Sequence, residues 1–291
     1  MAVNPLQRIH NAFAEAGAAG WLHAVDIDTG AEIDVGAGQA VVTASVHKLC
    51  LLLTLHQHAE QGLLDLTEQI ECPPAGRTSG PTGLAAMLDG VRISLRDAAY
   101  LMTAVSDNAA AELLLERVGL DAVNTTTQRL GLTRTRALYT FAQTLATIRE
   151  DAGPAGTQAL TDPHVIARLR ALDPARTNHS TPRDMTRLLA ALWRDEPCTP
   201  EHGTAIRRLL GLQVWPHRMA SGFPFDDVHV AGKTGTLPTL RNEVGVIEYP
   251  DGGRYAIAVF TRAANPAATL PAIDAVIGTT ARIAVDTLRT R

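Results

Sequence analysis

Apolar residues recur at helical spacing over residues 5–16 (PLQRIHNAFAEA), where Pro5 suits a first turn, and they predict an amphipathic helix. Residues 21–27 read as a strand, Asp28-Thr29-Gly30 as a turn and residues 31–35 as a second strand, which together make a hairpin. From Ser45 the pattern changes. SVHKLCLLLTLHQHAEQG is largely apolar on every face and closes at Gly62, as a buried helix with a glycine stop does. Six more segments are helical by period or caps: 95–105, 108–119, 123–131, 164–172, 181–195 and 201–212. Thr181-Pro182 supplies an N-cap and a first-turn proline for the fifth of these. Between residues 131 and 175, glycine, proline, threonine and mixed charge predict a long loop holding one helix.

Strand patterning returns at 228–236, 243–249 and 255–261, with Pro250-Asp251-Gly252-Gly253 as a turn, and residues 267–288 read as an amphipathic helix. Five short strands divided between the two ends of a chain need one another to bury a face. The expected fold is therefore α/β, with residues 1–44 and 223–291 in one domain and an all-α domain, residues 45–222, inserted between them.

Composition narrows the class. A chain of 291 residues that is 46% hydrophobic and 19% charged suits one large domain or two interleaved ones, and excludes disorder and collagen-like repeats. A net charge of −4 gives no reason to expect nucleic acid as a partner. Cys50, Cys72 and Cys198 are too few and too scattered for a disulfide framework or a zinc knuckle. The first residues lack a basic region followed by an apolar one, and no run of about 18 apolar residues occurs. Neither a secretory leader nor a membrane span is expected, and the expected location is the cytoplasm.

Common cofactor signatures are broken as well. Gly232-Lys233-Thr234 resembles the end of a P-loop, but Asp227 stands where that motif needs its first glycine. Gly36-Ala37-Gly38 lacks the third dinucleotide-binding glycine, and His56 and His58 lie on different faces of their helix, a poor metal pair. There is no G-x-S-x-G elbow and no H-E-x-x-H. No metal and no cofactor is expected.

One count redirects the reading. Of 26 basic residues 24 are Arg, and the two lysines are Lys48 and Lys233. Arg keeps its proton in proteins, whereas a buried Lys can give its proton up. Lys48 closes Ser45-Val46-His47-Lys48, one helical turn from a serine at the start of the buried helix. A serine hydroxyl becomes a useful nucleophile once a base takes its proton, and a desolvated amine serves as that base. Lys233 opens Lys233-Thr234-Gly235-Thr236 inside an apolar strand, where the glycine permits a close backbone approach by a ligand. Between them lies Ser106-Asp107-Asn108, which by itself also reads as a helix N-cap.

S-x-x-K, S-D-N and K-T-G in this order, with both lysines at the two lysine positions, resemble the penicillin-recognising signature of class A β-lactamases and penicillin-binding proteins. The resemblance covers nearly the whole chain, and the spacings of 61 residues from Ser45 to Ser106 and 51 from Pro182 to Lys233 suit it. It implies an antiparallel five-stranded sheet flanked by the terminal helices, with the active site between sheet and insert. It further implies that Ser45 is the acylated nucleophile, Lys48 its general base and Ser106 a proton shuttle. Asn108 would orient substrate and lysine. Lys233, Thr234, Gly235, Thr236 and Arg241 would bind a substrate carboxylate, with Asn242 competing for the arginine's place. The N–H groups of Ser45 and Thr236 would form the oxyanion hole.

The chain departs from that family in the stretch between Ser106 and Pro182, which at 76 residues is long and carries no E-x-x-L-N for a deacylating water. Glu150 is the nearest candidate base. The chain is also similar to the cephalosporin-esterase-like hydrolase domain of clavulanate biosynthesis. The expectation is a serine hydrolase acting through a Ser45 acyl-enzyme on a β-lactam or a small ester or amide, with a small acyl or carboxylate compound as its partner. The alternatives are an intracellular acyltransferase or biosynthetic esterase, and a non-catalytic binding protein that keeps the cleft.

Overall fold

The computed structural model describes residues 4–290; the first three residues, part of the segment read for an export signal, lie outside the described residues. In chain order the elements begin α1 (Pro5–Glu15), β1 (Ala18–Asp26), β2 (Glu32–Val35) and β3 (Val41–Val42). A single 3-10 turn, Ala44–His47, then runs directly into α2 (Lys48–Glu60). There follow β4 (Gln69–Cys72), β5 (Val91–Ser94), α3 (Leu95–Ala104), α4 (Asn108–Val118), α5 (Leu120–Arg129), α6 (Phe141–Ala152), α7 (Pro163–Ile166), β6 (His179–Ser180), α8 (Pro182–Trp193) and α9 (Pro200–Gly211). The chain closes with β7 (His229–Leu237), β8 (Leu240–Glu248), β9 (Arg254–Ala263) and α10 (Pro271–Arg289).

The sheet is antiparallel with strand order β2-β1-β9-β8-β7, so strands from the two ends of the chain meet at the β1–β9 pair. Both its faces are covered, and β9 shows why. Ala256, Ala258 and Phe260 join one buried cluster with α2 and α8, while Tyr255, Ile257 and Val259 join another with α1 and α10. Alternation with period two splits one apolar strand between two cores. Helix α2 fills the centre of the insert, buried from Lys48 to His56, which accounts for a helix that is apolar all round. It brings Ser45 and Lys48 up against the sheet.

Three expectations need correction. The insert is not purely helical, because β4 and β5 pair with each other and β6 pairs with β3. The helix expected over 164–172 ends at Ile166 and resumes only as a 3-10 turn, Arg170–Leu172. There the Arg170 N–H is taken by Asp151 Oδ2 at 2.8 Å, and a tertiary contact overrides local propensity. The last helix starts at Pro271 rather than residue 267, with proline in the first turn.

Asp107 shows the N-cap reading of Ser106-Asp107-Asn108 to be physically real. Its carboxylate is buried and accepts from Ala109 N and Ala110 N at the start of α4, and from Leu84 N and Ala85 N across the loop. Asp107→Ala removes the acceptor for four buried or half-buried amides. We expect a loss of about 2–4 kcal/mol in urea unfolding, more than a lone surface cap contributes.

Candidate active site

The cleft lies between β7 and the insert. Its main cavity is about 690 Å³, and a smaller recess of about 80 Å³ opens beside Ser45, which lines both. Ser45 sits in the 3-10 turn just after Ala44, whose φ of 49° is a left-handed value for a non-glycine residue. Ser45 Oγ has no hydrogen-bond partner among the described residues, so the hydroxyl is uncommitted.

Lys48 is fully buried, and its ammonium donates to Ser106 O at 2.7 Å, Asn108 Oδ1 at 2.8 Å, Asp107 O at 3.3 Å and Ser106 Oγ at 3.4 Å. Ser106 adopts φ 62°, a strained value for serine. Both its carbonyl and its hydroxyl point at Lys48. The centre of the Phe141 ring lies 5.1 Å from Lys48 Nζ. Burial pushes the amine down to about 7, with the more distant Asp107 carboxylate only partly opposing it.

Lys233 is equally buried, and its pKa is lowered well below its ordinary value by burial first and by the charge of Lys48 second. The two lysines, one from α2 and one from β7, lie close enough for the charge of one to depress the other, and both are buried behind the walls of the cleft. Thr234 and Thr236 line the cavity from the edge strand. The Thr234 N–H leaves the sheet to donate to Gln213 Oε1 at 2.8 Å. The Thr236 N–H, two residues along, points the same way, into the cleft.

Gly235 has a close neighbour in the chain itself. A Cβ there would stand 2.6 Å from the Thr43 carbonyl oxygen, so the glycine lets β7 press against the turn that carries Ser45. Glu150 lines neither cavity; it is exposed and paired with Arg170 at 2.7 Å. Among the described residues no Asp or Glu lines the cleft. The residues of α6 and its neighbours that face Ser45 across the recess are Phe141, Thr144, Leu145, Thr177 and Asn178.

Arg241 does reach the cleft, opposite Thr236 in register, held by Leu240 O at 2.9 Å and by Asp274 at 3.5 Å. Asn242 is committed elsewhere, donating to Val42 O and accepting from Thr261 N. Sequence reasoning missed Arg218. Its buried guanidinium donates to Thr236 Oγ at 2.8 Å and to Gly235 O and Asn242 O at 3.1 Å, and pairs with Asp274 at 2.7 Å. Among 24 arginines no local pattern singles it out. His47, next to Ser45, lines neither cavity. Burial pushes it down to about 4, and its neutral ring has no hydrogen-bond partner.

Chemically, the arrangement places a free hydroxyl, a second hydroxyl that can relay a proton and the arginines Arg218 and Arg241 around one cavity, with a strand-edge amide beside it and, buried behind Ser106, an amine able to lose its proton near neutrality. The chain belongs to the beta-lactamase enzyme family, which matches residues 4–288. It is 33% identical over 304 residues to the beta-lactamase regulatory protein BlaB of Streptomyces cacaoi, covering 98% of this chain and 97% of that protein. Among solved structures it is similar to a beta-lactamase from Sphaerobacter thermophilus, at 26% identity, 97% coverage of each chain and a TM-score of 0.80. It shares its fold with PBP-A at 20% identity, covering 99% of this chain and 97% of that one with a TM-score of 0.80. Among the described residues no helix is long and apolar enough to cross a membrane.

Because the chain has only two lysines, labelling with lysine enriched in carbon-13 at Cε gives two resonances. The one lost in Lys48→Arg belongs to Lys48. Its titration is expected to centre near pH 7, about three units below a solvated lysine. A midpoint above pH 9 would refute the desolvated amine.

Proposed function

We propose that this protein captures β-lactams, or small ester and amide donors bearing a carboxylate, as an acyl group on Ser45, and that it releases the group slowly. Lys48 as neutral amine takes the Ser45 proton while Oγ attacks the carbonyl carbon. The tetrahedral oxyanion is met by the N–H groups of Ser45 and Thr236. As the carbon–nitrogen or carbon–oxygen bond breaks, the proton passes from Lys48 through Ser106 to the leaving atom. Lys233, Thr234 and Thr236 hold the carboxylate, with Arg218 and Arg241 behind them, and Asn108 keeps Lys48 aimed.

The observation that carries slow release is the absence of any carboxylate lining the recess beside Ser45, where Phe141 and Leu145 stand instead. Hydrolysis of an ester needs a base to activate water on that side, and an aromatic ring and an alkyl chain cannot accept a proton. Slow release suits a protein that senses or holds a β-lactam more than one that destroys it. The regulatory role named for the Streptomyces cacaoi relative agrees with this reading.

Intact-mass analysis with penicillin G is expected to show one adduct per chain that survives for minutes or longer, and none in Ser45→Ala. Acylation should rise about tenfold per pH unit below 7 and level off above it, because only the neutral amine accepts a proton and raising the pH through about 7 creates it. Full hydrolysis by Ser45→Ala would end the acyl-enzyme reading.

A second variant tests slow release directly. Phe141→Glu places a carboxylate in the recess beside Ser45, and adduct decay is expected to accelerate by about tenfold or more. Decay that is fast in the parent, or unchanged by the variant, counts against the retained acyl group. If instead an added amine shortens the adduct lifetime, acyl transfer is the better description.

A further inference from the structure

The cleft is larger than its acylating groups require. Ser45, Ser106, Thr234 and Thr236 take up only part of the wall of a cavity of about 690 Å³. Much of the rest is apolar and comes from three separate stretches of chain. Leu145 and Ile148 project from α6, Leu160 from the 3-10 segment Gly153–Thr161, and Leu237 and Pro238 stand where β7 turns towards β8. Leu160 and Leu237 rest on one buried cluster that also holds Val42, Val165 and Leu240, so insert and sheet share an apolar floor here. The wall starts at the nucleophile. Leu145 and Leu237 line both the recess beside Ser45 and the main cavity, so a group carried on Ser45 meets them first.

The charges along the same cavity have one sign. Arg149, Arg218 and Arg241 line it, and among the described residues no carboxylate does. Arg218 donates to Thr236 Oγ and Arg241 lies opposite Thr236 in register, which puts both at the strand edge proposed to take the donor's carboxylate. The apolar wall is left for the acyl half. We infer that this half carries an uncharged apolar side chain, aryl or alkyl, packed on Ile148 and Leu160, and that donors with an ammonium on that side chain are rejected. The inference rests on the reading of Ser45 as an acylated nucleophile and narrows its substrate class. Packing a ring or alkyl chain on such a wall is favourable in proportion to the area withdrawn from water. An ammonium placed there gives up hydration, finds no carboxylate and is repelled by the guanidiniums. Peptides with a free amino group on the acyl side are therefore poor donors.

Ampicillin adds one amino group to the benzyl carbon of penicillin G, so the pair isolates the charge. At about pH 6.5, where that amine is an ammonium, acylation is expected to be about tenfold or more faster with penicillin G. The gap should narrow above about pH 8.5, where the amine is neutral. Leu160→Asp supplies a carboxylate in a segment that contains no buried residue, so the fold is not at stake. It is expected to cut the preference by about tenfold, while an activated acetate ester, with no side chain to place, changes less than about twofold. Equal rates for the two penicillins in the parent, or a ratio that Leu160→Asp leaves unchanged, overturns the inference and leaves the Ser45 chemistry standing.

Binding separates this inference from the acylation reading. Ser45→Ala has no nucleophile, and by calorimetry at about pH 6.5 it is expected to hold penicillin G about tenfold or more tighter than ampicillin. Adding Leu160→Asp to that variant should abolish the difference. If the parent forms no adduct with either compound but the binding preference is present, the acyl-enzyme reading fails and the apolar wall stands. Equal binding of the two, or binding of neither, overturns the inference.

Discussion

An ammonium withdrawn from water governs this cleft. Lys48 sits at the head of a helix buried on all sides, and the oxygens that receive its hydrogens are neutral: two carbonyls, an amide and a hydroxyl. Neutral acceptors hold a charge in place without cancelling it, so desolvation wins and the proton becomes easy to lose. The nearest carboxylate, that of Asp107, accepts hydrogen bonds from four backbone amides, which sets the start of α4 and the loop against it. The same motif thus caps a helix and shapes the environment of the amine. That is why its structural and chemical readings are both correct.

The second constraint is the edge strand β7. Edge strands present unpaired amides, a hazard that this chain turns into a binding surface. One side of the strand is pressed against the Ser45 turn at Gly235; Gln213, Arg218 and Met219 brace the other through Thr234, Thr236 and Glu243. A hydroxyl on one element and an amide on another reach a common carbonyl only if their separation is fixed to a fraction of an ångström. Two lysines, two arginines and one buried glutamate meet within this bracing. The charge of Lys48 adds to burial in lowering the proton affinity of Lys233.

Legibility differed sharply between residues. Lys48 and Lys233 stood out because arginine replaces lysine everywhere else, and the spacing of three short motifs tied them together. Glu150 illustrates the opposite case. A carboxylate in a long irregular stretch has the right chemistry, but its direction depends on packing, and Arg170 draws it outward. Arg218, Gln213 and Glu243 carry no local signature, since an arginine in a loop or a glutamate in a strand has many ordinary explanations. The break in the helix expected over 164–172 has the same origin, a side chain distant in sequence that claims a backbone amide.

By itself the sequence determined the class of fold, the buried helix behind Ser45, the two lysines and the family to which the chain belongs, because periodicity, caps and fixed motif spacing are local quantities written along one chain. Which groups face the reacting hydroxyl was decided only by tertiary structure. Convergence of Phe141, Leu145 and Thr177 on the recess, and of Arg218 and Glu243 behind β7, depends on how elements far apart in sequence pack. Burial, which lowers the proton affinity of Lys48 and Lys233, exists only once they have done so.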